Sequence, residues 1–116
     1  MKKIIITGAG GYIGTVLTDY LAKKNYKVIA LDTFWFGNYL SKNKNIRVVK
    51  EDIRNIKNIN IFRNVSCIIH LASISNDPAA LINPKLSWET NVLGTLNLIN
   101  QAIKFKVKKF IFASSG

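Results

Sequence analysis

Cysteine is almost missing from this chain, and so is negative charge: one Cys and six Asp or Glu stand among 116 residues. The lone thiol, Cys67, closes no internal disulfide, and the Cys and His residues lack the spacing of a zinc finger. Long hydrophobic runs are lacking too. The basic start Met1-Lys2-Lys3 leads into Ile4-Ile5-Ile6, but the run breaks at Thr7-Gly8, short of the roughly 7–15 apolar residues of a secretory signal. No stretch approaches the roughly 20 apolar residues that cross a bilayer. These shortages predict a cytoplasmic protein with no membrane partner.

What the chain does have is apolar content and positive charge. Hydrophobic residues make up 48% and charged residues 20%, outside the range of disordered chains. At 116 residues there is room for one core, so residues 1–116 are read as one domain. The net charge of +11 is also what a nucleic-acid-binding domain carries. The lysines, however, are scattered from Lys2 to Lys109 without interleaved aromatics, and they accompany a general richness in Ile and Asn. The sequence therefore assigns them to a solvated surface rather than to nucleic acid.

Short β-branched runs alternate with helical patterns. Lys3–Ile6, Lys27–Leu31, Arg47–Lys50, Cys67–Leu71 and Lys109–Ala113 read as strands. Between the first two, Ile13, Leu17 and Leu21 share one helical face, and Asn25 stands where a left-handed cap belongs. Between the last two, Asn83-Pro84 opens a helix over about 84–105, with Trp88, Val92, Leu96, Ile99 and Ile103 at apolar spacing. Asn55–Asn64 reads as a short helix or turn anchored by Ile56, Ile59 and Phe62. Near-continuous apolar strands joined by helices predict an α/β fold, a doubly wound parallel sheet covered on both faces.

Thr7-Gly8-Ala9-Gly10-Gly11-Tyr12-Ile13-Gly14 lies between the first strand and first helix. There Gly8 can make a tight turn, Gly11 can let a pyrophosphate reach the backbone, and Gly14 can let the helix lie close. The freed N–H groups and the helix dipole then face an anion. A Walker A loop is excluded, because no glycine of the cluster is followed by Lys and Ser or Thr at the required offset. The spacing is T-G-x-x-G-x-x-G rather than G-x-G-x-x-G. Asp32 ends the second strand 18 residues after Gly14, where a carboxylate would accept hydrogen bonds from an adenosine ribose. The bland alternative is a turn Asp. With no Arg or Lys following until Lys42, a carboxylate there favours NAD over NADP.

These residues resemble the extended short-chain dehydrogenases, the NAD-dependent epimerases and dehydratases of nucleotide sugars. Thr7–Gly14 is similar to the family's glycine motif, which implies cofactor contacts from Gly8, Gly11, Tyr12, Ile13 and Gly14. Asp32 resembles its ribose-binding acid, and Glu51-Asp52-Ile53-Arg54 the segment that holds adenine through Asp52 and Ile53. His70-Leu71-Ala72-Ser73 resembles the strand end that passes the nicotinamide, implying contacts from Leu71, Ala72 and Ser73. Asn91-Val92-Leu93-Gly94-Thr95 is similar to a helical N-x-x-G-T motif whose Asn steadies the site, and Ala113-Ser114-Ser115 to the strand end bearing the catalytic Ser or Thr, here Ser115. Read from the residues alone, Asp52 is equally a turn carboxylate, His70 a packed strand residue without an identified partner, and Asn91 a structural side chain. Gly94 suggests close packing against the sheet, Phe34-Trp35-Phe36 either flanks adenine or is exposed loop, and Cys67 is inert.

The resemblance implies a Rossmann-type sheet in the order 3-2-1-4-5, NAD as cofactor, a nucleotide-sugar substrate and a homodimeric complete enzyme that removes hydride transiently from a sugar hydroxyl. The family's Tyr-x-x-x-Lys pair follows the catalytic Ser. Tyr12, Tyr20, Tyr26 and Tyr39 all precede the fourth strand, and no tyrosine is expected to have Lys four residues on. The expectation is therefore the N-terminal, NAD-binding half of such an enzyme, truncated after the fifth strand, without its substrate-binding portion and inactive alone. Two other readings stay open: a non-catalytic nucleotide-binding or regulatory module, and a basic nucleic-acid-binding domain.

Overall fold

The computed structural model describes residues 2–35, 37–71 and 84–113, with 84–90 described as backbone only. The elements run β1 (Lys3–Thr7), α1 (Tyr12–Lys23), β2 (Lys27–Asp32), β3 (Ile46–Lys50), a 3-10 turn (Ile59–Phe62), β4 (Cys67–His70), α2 (Pro84–Lys104) and β5 (Lys109–Phe112). All five strands pair in parallel in the order β3-β2-β1-β4-β5. This is the expected doubly wound, Rossmann-type sheet. The chain's direction of growth reverses between β1 and β4, and in such sheets ligands bind in the crevice beyond the strand C-termini at that point.

The period-2 alternation of the central strands builds two cores. Ile5, Ile29, Leu31 and Ile68 face one side, where Ile53, Ile61, Phe62 and Leu98 complete a layer under α2. Ile4, Ile6, Val28 and Ala30 face the other, against Ala22 of α1. Ile61, rather than Ile59, is the fully buried anchor of the 3-10 turn.

The helices present different faces from those their large apolar residues suggest. On α1 the buried residues are Gly14, Thr18 and Ala22, while Leu17 and Leu21 are half-buried and Ile13 is 68% exposed. Among the described side chains of α2 they are Gly94, Leu98 and Ala102, whereas Leu96 and Ile103 are exposed. Small residues at four-residue spacing let a helix axis approach closely, and that sets which face turns inward. Trp88 lies outside the described side chains.

Both helices end in the same left-handed cap. Asn25 has φ 68° and Lys106 φ 56°. Behind them Tyr26 N–H donates to the Leu21 carbonyl and Val107 N–H to that of Ala102, at 3.1 and 2.9 Å, the long-range bond of a Schellman motif.

Candidate nucleotide site

The crevice is built where β1, β2 and β4 end. After Thr7, Gly8 turns the chain with φ 72°, a region closed to most side chains. Gly11 N–H donates to the Gly8 carbonyl at 3.1 Å, and Gly8 N–H reaches the Leu31 carbonyl on β2 at 3.0 Å. Gly11 caps α1 in extended conformation without a side-chain bond, so the N–H groups of Tyr12, Ile13 and Gly14 have no partner within the helix. The Tyr12 and Ile13 side chains point into solvent, 87% and 68% exposed.

The glycines are not equivalent. A Cβ on Gly14 would collide with the Gly8 carbonyl and lie 2.7 Å from Ala9 Cα, so the close approach is to the loop itself. A Cβ on Gly11 would meet only the Gly8 carbonyl at 3.4 Å, which leaves open space outside the turn. Gly10 had no assigned role, yet its N–H donates to Asp32 Oδ2 at 2.7 Å, and a Cβ there would fall 2.6 Å from that oxygen and 2.8 Å from the Phe34 ring. The Gly10-Gly11 doublet was the available sequence signal.

Asp32 is thereby brought against the glycine loop. Its Oδ1 accepts the Thr33 N–H at 2.7 Å. Lys50 is its cross-strand partner on β3, a cation much nearer in space than the sequence separation suggests. Of the aromatic run, Phe34 is half-buried with φ 56°, Trp35 is 65% exposed, and Phe36 lies outside the described residues.

Beyond β3, Glu51 N–H donates to the Asp32 carbonyl at 3.1 Å, which sets the acidic segment beside the loop. The Asp52 carboxylate takes the Arg54 backbone N–H at 2.9 Å and its guanidinium at 2.6 Å, and these hydrogen bonds hold its pKa below the usual carboxylate value. Asp52 also opens a tight turn, its carbonyl accepting from the Asn55 N–H at 3.0 Å. Ile53 is in the core, where it packs under Gly94. The close approach that Gly94 permits is therefore to the β3–β4 connection and not to the sheet.

His70 has partners that the sequence did not reveal. Its Nδ1 lies 2.6 Å from Thr7 Oγ1 and its Nε2 2.9 Å from Thr95 Oγ1, joining β1, β4 and α2. The residue is 1% exposed, and burial pushes its pKa down to about 4. Leu71 N–H donates to the Thr7 hydroxyl at 3.0 Å. Asn91 is half-buried on α2, and Asn97 Nδ2 donates to the Ile53 carbonyl at 2.7 Å. Ala72, Ser73 and Ser115 lie outside the described residues.

The tyrosine expectation needs correcting. Tyr20 and Lys24 do stand four residues apart, and the Lys24 ammonium lies 5.5 Å from the Tyr20 ring centroid. They occupy the far end of α1, about 12 Å along the helix from its first residue, so they do not reach the crevice. Cys67 is half-buried, and burial raises its thiol pKa. Among the described residues no helix is long and apolar enough to cross a membrane.

A glycine turn feeding a helix N-terminus at the switch point of a parallel sheet, with a carboxylate closing the second strand, defines a nucleotide-binding protein of the doubly wound class. The chain belongs to the NAD dependent epimerase/dehydratase family, whose model matches residues 4–116. A Methanocaldococcus jannaschii protein provisionally named a UDP-glucose 4-epimerase is 38% identical over 97% of this chain and 38% of its own length. The UDP-glucuronate 4-epimerase of Thermodesulfobacterium geofontis is 32% identical over 100% of the chain and 40% of its own. An epimerase structure from Methanothermobacter thermautotrophicus superposes with a TM-score of 0.89 at 30% identity, over 99% of this chain and 35% of that one. The Thermus thermophilus UDP-glucose 4-epimerase, solved in complex with NAD, gives 0.82 at 27% identity over 97% and 37%. The chain thus spans about two-fifths of the length of the curated relatives it matches.

Proposed function

We propose that this chain is the NAD-binding part of a nucleotide-sugar epimerase or dehydratase. The observation that carries the reading is the convergence of the Gly8–Gly14 turn, the α1 N-terminus and Asp32 at one crevice. The fit is physical: the space outside Gly11 is open, as an approaching pyrophosphate requires, and the N–H groups of Tyr12, Ile13 and Gly14 supply donors. Asp32 would turn its carboxylate to the adenosine ribose, with Asp52 and Ile53 beside the adenine. Leu71, Ala72, Ser73 and Asn91 would border the nicotinamide end. The named NAD complex of the Thermus relative supports the cofactor, and the UDP-sugar names of the relatives support the substrate class.

When bound, NAD accepts and returns a hydride from the carbon bearing a sugar hydroxyl. This chain's part is to bind and orient: the glycine turn fixes the phosphates, Asp32 fixes the ribose, and Ser115 would hydrogen-bond the reacting oxygen. The chain alone is inactive in this reading. The complete enzyme is a cytoplasmic homodimer, a pairing supported by the exposed apolar stripe of Leu93, Leu96 and Ile103 on α2. Titration calorimetry of the chain with NAD tests the proposal. Saturable binding of one NAD per chain is expected, and no heat above dilution in folded protein overturns it.

A further inference from the structure

The lysines that are scattered in sequence gather in space. In a parallel sheet every strand starts at the same edge, and here Lys3, Lys27 and Lys109 open β1, β2 and β5. Arg47 is the second residue of β3, with Lys44 just before it, and Arg63 lies on the approach to β4, its carbonyl accepting from Lys3 Nζ at 3.0 Å. The helices run back to that edge: α1 finishes at Lys23 and Lys24, and α2 at Lys104, followed by Lys106 and Lys108. Most of the chain's 17 cationic residues therefore share the edge opposite the nucleotide crevice.

Among the described side chains, acids avoid that edge. Asp32, Glu51 and Asp52 lie at the crevice end, and Asp19 faces the β2–β3 loop, where it accepts from the Ser41 N–H and hydroxyl at 3.2 and 3.1 Å. The ion pair seen among the described residues, Arg54–Asp52, is also at the crevice end. The cations are thus left to repel one another. Lys3 and Lys27 are direct cross-strand partners, an arrangement that destabilises when like charges face each other. Burial first, and then the charges of Arg47 and Lys27, hold the Lys3 ammonium below its usual pKa.

We infer that this edge is a second binding surface, for the sugar–phosphate backbone of nucleic acid, taken without regard to base sequence. Five strands at about 4.8 Å spacing make a face about 19 Å wide. Over that length a duplex presents about eleven phosphate charges, similar to the number of cations offered. Base reading is not provided for. The cations are mostly Lys, point charges rather than bidentate forks. Of the rings that adjoin them among the described residues, Tyr26 and Phe105 are half-buried, and the exposed Tyr20 ring already holds the Lys24 ammonium 5.5 Å from its centroid. Bound phosphates would relieve the Lys3–Lys27–Arg47 repulsion without touching the crevice.

The test is fluorescence anisotropy of a short labelled DNA duplex with the 116-residue chain at ~50 to ~200 mM salt. The edge variant Lys24→Gln/Lys27→Gln/Arg47→Gln is compared with Lys50→Gln/Lys57→Gln/Lys85→Gln, which loses the same charge away from the edge. The edge variant is expected to bind at least about tenfold more weakly at ~100 mM salt and to flatten the salt slope by roughly 2–3, with the other variant within about twofold of wild type. Equal loss in both variants, or no binding by wild type, overturns the proposal. Tighter capture by phosphatidylserine vesicles than by duplex of equal charge overturns it in favour of a lipid surface. Should the first edge variant lose its circular dichroism spectrum, Lys44→Gln/Arg63→Gln/Lys108→Gln decides in its place by the same criteria.

Discussion

At the scale of single residues, Gly11 and Gly14 of the glycine motif do different work, and substitution separates them. Gly11 has φ −76° and free space at its Cβ position, so Gly11→Val should fold normally while placing a branched side chain where the phosphates belong. Calorimetry should then show NAD binding abolished with the melting temperature little changed. Gly14→Ala should instead cost about 1–3 kcal/mol of stability, or more, because its methyl group meets backbone that has nowhere to move. The Asp32 carboxylate, beside a 2′-phosphate at about 4 Å, would repel it by about 4 kcal/mol at an effective dielectric of 20, and even a third of that favours NAD nearly tenfold. Lys50 across the strand pair works against this preference, so Asp32→Ala should shift the ratio of NAD to NADP affinity toward NADP, and the Asp32→Ala/Lys50→Gln double variant should return part of it. His70 makes the folded chain acid-sensitive. The buried ring takes up its proton near pH 4 whereas the unfolded ring does so near 6.5, so stability falls as pH drops between those values, by about 2 kcal/mol from pH 7 to 5. Urea midpoints for wild type should show that fall, and His70→Asn should remove most of it. Gly8, Gly11, Gly14 and Asp32 were legible because their spacing is itself the signal of a strand–turn–helix. The roles of Gly10 and Thr95 were not, although both stand within the motifs, since each acts on a partner brought near only by the fold, Asp32 in one case and His70 in the other.

At the scale of elements, strand positions followed from β-branched runs separated by helical patterns, and the sheet order from the family resemblance, but the helix faces did not. Choosing the face by its large apolar residues picked Ile13 on α1 and Leu96 and Ile103 on α2, whereas the sheet side is Gly14/Thr18/Ala22 and Gly94/Leu98/Ala102. On α1 the bulky stripe and the small-residue stripe differ by one residue, roughly 100° around the helix, and on α2 the buried Leu98 stands two residues from Leu96. Close approach favours the small one. The outer stripe then remains exposed, a surface pattern that periodicity cannot distinguish from a core. Gly94→Leu tests the assignment of α2: its side chain would enter the space of the Ile53 side chain and should destabilise the fold, while Leu96→Ala on the outer stripe should change stability by less than about 1 kcal/mol. Thermal unfolding of the two variants checks the difference. If Leu96→Ala proves the more damaging, the helix face is misassigned.

At the scale of the whole molecule, the sheet separates two electrostatic ends. The scattered order of lysines hid this, because residues far apart in sequence become neighbours only when parallel strands align their starts. The same view bears on whether these 116 residues turn over substrate by themselves. Oxidising a sugar hydroxyl needs a base with a pKa lowered toward neutrality and within reach of the proton. A serine hydroxyl such as Ser115 does not serve without a partner. His70 is buried between Thr7 and Thr95, and the Tyr20–Lys24 pair sits at the distant end of α1 in a cation–π contact, so neither supplies that base among the described residues. Purified chain given NAD and a panel of UDP-sugars should therefore bind cofactor but form neither epimer nor reduced NAD. Turnover that vanishes in Ser115→Ala would refute this and reveal a base among these residues. The exposed Tyr12, Ile13, Val16 and Tyr20 on α1, Leu93, Leu96 and Ile103 on α2, and Phe112 on β5 also leave large apolar area open to water. Sedimentation should accordingly show concentration-dependent self-association of the chain despite its charge of +11, strengthening as salt screens the lysines.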